Sequence, residues 1–181
     1  RSVGVNIKFN TKVLNLDILN STMCGIITTN GAVSFDKVIV CTGGKSYPST
    51  GSDGDGYVVA ERAGHTVIKP VPSLCGVNLN GVYFRAMQGL SLKNVGLKVY
   101  SGGKLLKDLF GEMQFTHFGA SGPLILTASA LINRLSPDGV KLVLDFKPAL
   151  SREQLEARIL RDFEADKNND ISNCLKGLLP S

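Results

Sequence analysis

The 181-residue sequence has no tryptophan, only two histidines, and four cysteines with no Cys-x-x-Cys pair. Cys24, Cys41, Cys75 and Cys174 are scattered, so neither metal-ligand spacing nor a metal centre is expected. Cys41 lies in an apolar run, where a thiol usually behaves as a small buried hydrophobe, and unpaired cysteines fit a reducing cytoplasm. No apolar run approaches the roughly 18 residues that a membrane span needs, so no membrane partner is expected. No secretory signal is visible, and the chain starts Arg1-Ser2-Val3, which suggests an internal piece or a processed start. With 43% hydrophobic and 19% charged residues, the composition excludes intrinsic disorder. A net charge of +5 invites a nucleic-acid hypothesis. The basic residues are dispersed singly, however, with no aromatics interleaved on one face, which argues against such a partner.

What the sequence does have is glycine, concentrated in one place. "VIVCTGGKSYPSTGSDGDGY", residues 38–57, opens on a short apolar run and then carries five glycines, three serines and two threonines. A glycine-rich loop after a strand lets bare backbone approach a phosphate or ring system. A flexible surface connector has the same composition.

Around that loop the pattern is α/β. Alternating runs at residues 3–9 and 11–18 predict strands, and residues 24–29 and 32–35, joined by Asn30-Gly31, predict a hairpin. Lys37-Val-Ile-Val-Cys41 is apolar throughout, as a parallel strand buried on both faces would be. Residues 57–63 predict a short helix, with Asp53 or Asp55 at its start and Gly64 as its stop. Pro70 and Pro72 mark a boundary. Beyond it, strands are predicted at residues 90–100, 111–116 and 140–146, and an apolar helix at 122–135. The capping box Ser151-Arg-Glu-Gln154 should open an amphipathic helix running to about residue 164, and a last short helix should end near residue 178.

Several catalytic motifs fail on inspection. Gly44-Lys45-Ser46 would close a phosphate-binding P-loop, but that motif needs glycine where Ile39 stands. Asp53-x-Asp55 hints at a calcium loop, yet Tyr57 occupies the third ligand position. Gly119-Ala-Ser121-Gly122-Pro123 imitates a hydrolase nucleophile elbow, but the elbow needs glycine at 123. His117, between two aromatics, reads as a structural histidine, and His65, beside the helix stop Gly64, as a local cap. Tyr47 suits stacking on a planar ligand, and packing on a neighbouring strand equally well. Lys45 suits a phosphate contact or a solvated loop.

Three collinear stretches are more specific: "VIVCTGGKSYPSTGSDGDGYVVAERAGHTVIKPVPSL", "GLSLKNVGLKVY" and "GEMQFTHFGASGPLIL", spanning about residues 38–127. Together they resemble the bacterial BaiN-like or YhiN-like flavoproteins, also called aminoacetone oxidase family FAD-binding enzymes and broadly NAD(P)/FAD-dependent oxidoreductases. The resemblance implies part of a Rossmann-like FAD-binding domain over residues 1–71. It also implies a β-barrel-like insert domain with helices over residues 72–181. Thr42 and Gly43 match the family's "ATG" element, with Cys41 in place of alanine, and Gly44 follows it. Val13 matches the position whose main chain meets the adenine. These four are the implied cofactor-binding residues; Lys45, Ser46 and Tyr47 are candidates near the flavin or substrate. The implied activity is FAD-dependent oxidoreduction, with NAD(P)H as a candidate electron donor and no catalytic acid or base assigned. His117 and Ser121 take no role from it. The family's GxGxxG phosphate-binding unit has no counterpart in these residues, so the chain is expected to be the middle of a longer protein and to hold FAD poorly alone. Against this stands a non-catalytic module that recognises a protein or polyanionic partner. Oligomeric state and substrate have no signal in the sequence.

Overall fold

The computed structural model describes residues 4–165, 170–175, 177 and 178. The chain forms two compact units, one up to Pro70 and one from Val71 onward.

In the first unit, β1 (Val13–Leu19), β2 (Thr22–Thr28) and β3 (Gly31–Ser34) form an antiparallel meander in the order β1-β2-β3. Two tight turns make it possible. Asn20 and Ser21 both take positive φ (49° and 62°) between the paired residues Leu19 and Thr22. The Asn30-Gly31 turn is held by Thr28, whose hydroxyl donates to the Gly31 carbonyl at 2.7 Å and accepts from the Asn30 N–H at 3.1 Å. Helix α1 (Asp55–Arg62) starts after Gly54 at φ +95°, and Asp53 Oδ1 accepts the Asp55 N–H. Its end is closed as expected: Gly64 takes φ +90°, and the His65 N–H donates to the Ala60 carbonyl. His65 therefore caps the helix through its main chain. Val59, 7% exposed, anchors α1, which packs on β1.

Two predicted strands of this unit are not formed. Residues 4–10 carry no strand, and Val5, Ile7 and Phe9 are exposed. Residues 37–41 also carry no strand; Ile39 is 87% exposed, and Cys41 is exposed rather than buried. The physical reason is that a strand exists only through its neighbours' hydrogen bonds. The meander satisfies its own ladder, and no described strand flanks residues 37–41.

The second unit is a five-stranded antiparallel sheet in the order β4-β7-β6-β5-β8. Its strands are β4 (Val77–Asn78), β5 (Ser91–Ser101), β6 (Lys104–Thr116), β7 (Gly119–Ser121) and β8 (Val140–Asp145). β5 bulges between Leu92 and Val95, where Asn94 takes φ +56°; such bulges bend a sheet. One face buries Leu92, Val95, Leu97 and Val99 with Met113 and Phe115. It is covered by α3 (Pro123–Ile132) through Leu124, Ile125 and Ala128, and by Phe84 of the short α2 (Tyr83–Ala86). Inside this core Ser129 is satisfied: its hydroxyl donates to the Leu126 carbonyl and accepts the Cys75 N–H. The capping box forms as expected ahead of α4 (Arg152–Ala165). The Ser151 N–H donates to Gln154 Oε1 at 2.9 Å, and the Gln154 N–H to Ser151 Oγ at 3.3 Å. A last helix, α5, spans Ile171–Cys174.

Candidate functional site

The glycine-rich loop of the first unit folds back on itself. Gly43, Gly51 and Gly54 take φ of +72°, +92° and +95°, so the chain reverses repeatedly before α1. At Gly43 and Gly54 the Cβ direction faces the loop, whereas at Gly51 it faces open space. A Cβ at Gly43 would lie 3.0 Å from Ser52 Oγ, and one at Gly44 would lie 3.5 Å from the Tyr57 hydroxyl. A Cβ at Gly54 would meet the Lys45 stem at 3.2 Å, and one at Gly56 would collide with Thr42 Oγ1. Glycine is therefore required at Gly54 by backbone angle, and at Gly56 by the seating of Thr42 against the first turn of α1.

That seating leaves Thr42 and Gly43 exposed and Gly44 half-buried. Val13 and Thr42 share one cleft of about 480 Å³, walled by Val38, Ile39, Val40 and Cys41 and bordered by Asp53 and Asp55. Gly43, Gly44, Lys45, Ser46 and Tyr47 lie outside its lining, and Tyr47, 64% exposed, precedes a short turn, Pro48–Thr50. So two of the four implied cofactor contacts are brought together, and three loop candidates stand apart. The cleft has apolar walls and exposed main chain at residues 41–43, which among the described residues makes no backbone hydrogen bond; a planar cofactor could lie against such a surface.

Charge is arranged at the cleft's edge. Lys12 Nζ lies 2.6 Å from Asp55 Oδ2 and 3.8 Å from Asp53 Oδ2. The hydrogen bond to Asp55, and then the Asp55 charge, hold the Lys12 ammonium above its ordinary pKa. Arg62 Nη1 donates to the Leu14 carbonyl at 2.9 Å, tying α1 to β1 beside Val13. Sequence reasoning missed Lys12 and Arg62, because each meets its partner across the fold and belongs to no local motif.

In the second unit, His117 is exposed at the tip of the β6–β7 turn, edge-on to Phe118 with ring centroids 5.0 Å apart. The Phe118 ring lies over Gly76, where a Cβ would come within 2.8 Å of it. Ser121 is half-buried and pairs with Gln114. Among the described residues no hydrogen bond joins His117 to Ser121, and no cluster of three His, Cys, Asp or Glu is placed to hold a metal. No described helix is long and apolar enough to cross a membrane.

Two profiles of one family match the chain. The HI0933-like protein Rossmann domain matches residues 1–107, and the HI0933-like protein barrel and H2TH domain matches residues 71–181. The second match starts where the second compact unit starts. A 3-dehydro-bile acid delta(4,6)-reductase of Clostridium scindens is 33% identical over 147 residues, 80% of this chain and 36% of that protein. A ribosomal RNA dihydrouridine synthase of Haemophilus influenzae is 36% identical over 95 residues, 51% of this chain and 22% of that protein. The Escherichia coli protein of the same description is 27% identical over 177 residues, 97% of this chain and 42% of that protein. The chain thus spans less than half the length of the curated relatives it matches. Its fold class is a Rossmann-like domain plus a barrel and helical domain.

Proposed function

We propose a function from one premise: this chain belongs to the HI0933-like family. It is part of an FAD-dependent oxidoreductase that works in the cytoplasm. The cleft that Val13 shares with Thr42 is the observation that supports the cofactor. Val13, Thr42, Gly43 and Gly44 would hold it through main chain, and FAD, when bound, supplies hydride chemistry. Lys45, Ser46 and Tyr47 are the loop residues to substitute first in search of substrate contacts. The reading of a non-catalytic binding module is not favoured by this membership.

The relatives' names narrow the reaction. Reducing the Δ4,6 system of a 3-oxo bile acid and making dihydrouridine both saturate a ring carbon–carbon double bond conjugated to a carbonyl. In that chemistry a hydride adds β to the carbonyl and a proton adds to the α carbon. NAD(P)H is the proposed source of the electron pair, so one NAD(P)H is oxidised for each double bond saturated. The test uses the full-length protein with NADH or NADPH and two acceptors, a 3-oxo-Δ4 steroid acid and ribosomal RNA. Product saturation with either acceptor supports the reaction and names the substrate class. A flavin-loaded protein that saturates neither refutes the conjugated-double-bond reading.

A further inference from the structure

The free edge of β8 carries a self-complementary pattern. Among the described residues β8 is the last strand of its sheet and pairs only with β5, with Tyr100 opposite Lys141, Lys98 opposite Val143 and Gly96 opposite Asp145. The Gly102 N–H donates to the Gly139 carbonyl at 3.0 Å. Backbone groups alternate sides along a strand. The odd-numbered residues of β8 therefore turn their backbone to β5, and Leu142 and Leu144 turn theirs outward. Among the described residues no backbone group pairs with that outward edge. The other edge of the sheet, β4, is two residues long and offers no comparable template.

Charge and side-chain size along β8 select the occupant. We infer that two copies of this chain join antiparallel through β8, about a two-fold axis at Val143. In that register Lys141 of each copy faces Asp145 of the other. Leu142 faces Leu144 as the hydrogen-bonded pairs, and Val143 faces its own copy as the closer, non-hydrogen-bonded pair. Lys141, Val143 and Asp145 are exposed, whereas Leu142 and Leu144 are half-buried against the core. The pairing therefore sets charges on charges and core residues on core residues, and makes one ten-stranded sheet of two five-stranded ones. An edge lysine ordinarily deters strand addition; here it meets an opposite charge only when the partner is another β8 in this register. A two-fold interface of this kind closes at two copies.

Sedimentation velocity over a wide concentration range tests the inference on the full-length protein, with thermal melting as a control for folding. The expected result is a concentration-dependent dimer. Lys141→Asp should weaken it by about tenfold or more, since two attractive cross-strand pairs become repulsive. The exchange Lys141→Asp with Asp145→Lys should restore it. Asp145 also accepts the Lys147 N–H at 2.9 Å, so Val143→Glu, which sets like charges together at the axis, is the independent variant and should also weaken the dimer. A monomer at every concentration overturns the inference. So does a dimer indifferent to Lys141→Asp and Val143→Glu, or an exchange variant that melts normally but stays monomeric.

Discussion

Gly122 gives the sharpest test of how the second unit is built. It precedes α3 at φ +95° and ψ 169°, a region essentially closed to residues with a Cβ. A Cβ there would also lie 3.0 Å from Met113 Cα and 3.3 Å from the Gln114 nitrogen. These are backbone atoms of β6, inside the sheet, and cannot rotate away. Backbone strain of about 1–3 kcal/mol and overpacking of about 1–3 kcal/mol act in the same direction, so Gly122→Ala should cost roughly 2–6 kcal/mol. Two controls separate these terms. Gly103 has φ +79° with nothing near its Cβ position, so Gly103→Ala should cost only about 1–2 kcal/mol. Gly111 has ordinary backbone angles, and its added methyl would rest 3.7 Å from Leu124 Cδ1, so Gly111→Ala should be neutral or stabilising by up to about 1 kcal/mol. Urea unfolding of the three variants reads the order directly. A Gly122→Ala variant within 1 kcal/mol of Gly111→Ala would refute the reasoning, since the geometry demands about 2 kcal/mol or more between them.

The Gly56–Thr42 contact predicts coupling: Gly56→Ala should gain helix propensity only when Thr42→Ala clears its path, with a double-mutant coupling of about 0.5–3 kcal/mol by urea unfolding. Additive effects would mean that the loop does not hold Thr42 there. Ser151→Ala removes the α4 cap and should cost about 0.5–2 kcal/mol, with loss of helical circular dichroism. The Ser151 hydroxyl also donates to Glu153 and holds its carboxyl below the ordinary 4.5. A depressed folded pKa means that this contribution is complete above 4.5 and is lost as pH falls through the folded value. The stability gap between wild type and Ser151→Ala should therefore narrow on acidification; a gap that widens would contradict the assignment. For Lys12 the sign is opposite, because its pKa is raised by Asp55. Its contribution is present below 10.5 and fades as pH rises further, so Lys12→Met should lose its difference from wild type in strong alkali.

How much of this could be read beforehand depends on the range of the interactions. The Asn30-Gly31 hairpin, the Gly64 helix stop and the Ser151–Gln154 box were legible because each is decided within a few residues. Residues 37–41 were not, because an apolar run becomes a strand only when neighbours supply hydrogen bonds. The expectation of a buried Cys41 failed with it. The Asn20-Ser21 turn and β4 carry weak local signals, and β4 exists only through its pairing with β7. At the candidate site the glycine-rich loop was visible as composition. Its explanation was not: Gly56 answers to Thr42, fourteen positions away by numbering. The Lys12 and Arg62 contacts join α1 to the region of β1 and leave no spacing pattern behind.

The proposed function makes this chain part of an FAD enzyme, with Val13 and Thr42 in the cofactor's bed. The most direct measurement is the visible spectrum of the purified full-length protein, with the flavin released by denaturation, identified and counted, beside a Thr42→Ala and Gly43→Val variant. The account predicts one FAD per chain in the wild type and reduced flavin retention in the folded variant. A colourless wild-type protein that folds normally and takes up no added FAD would contradict it.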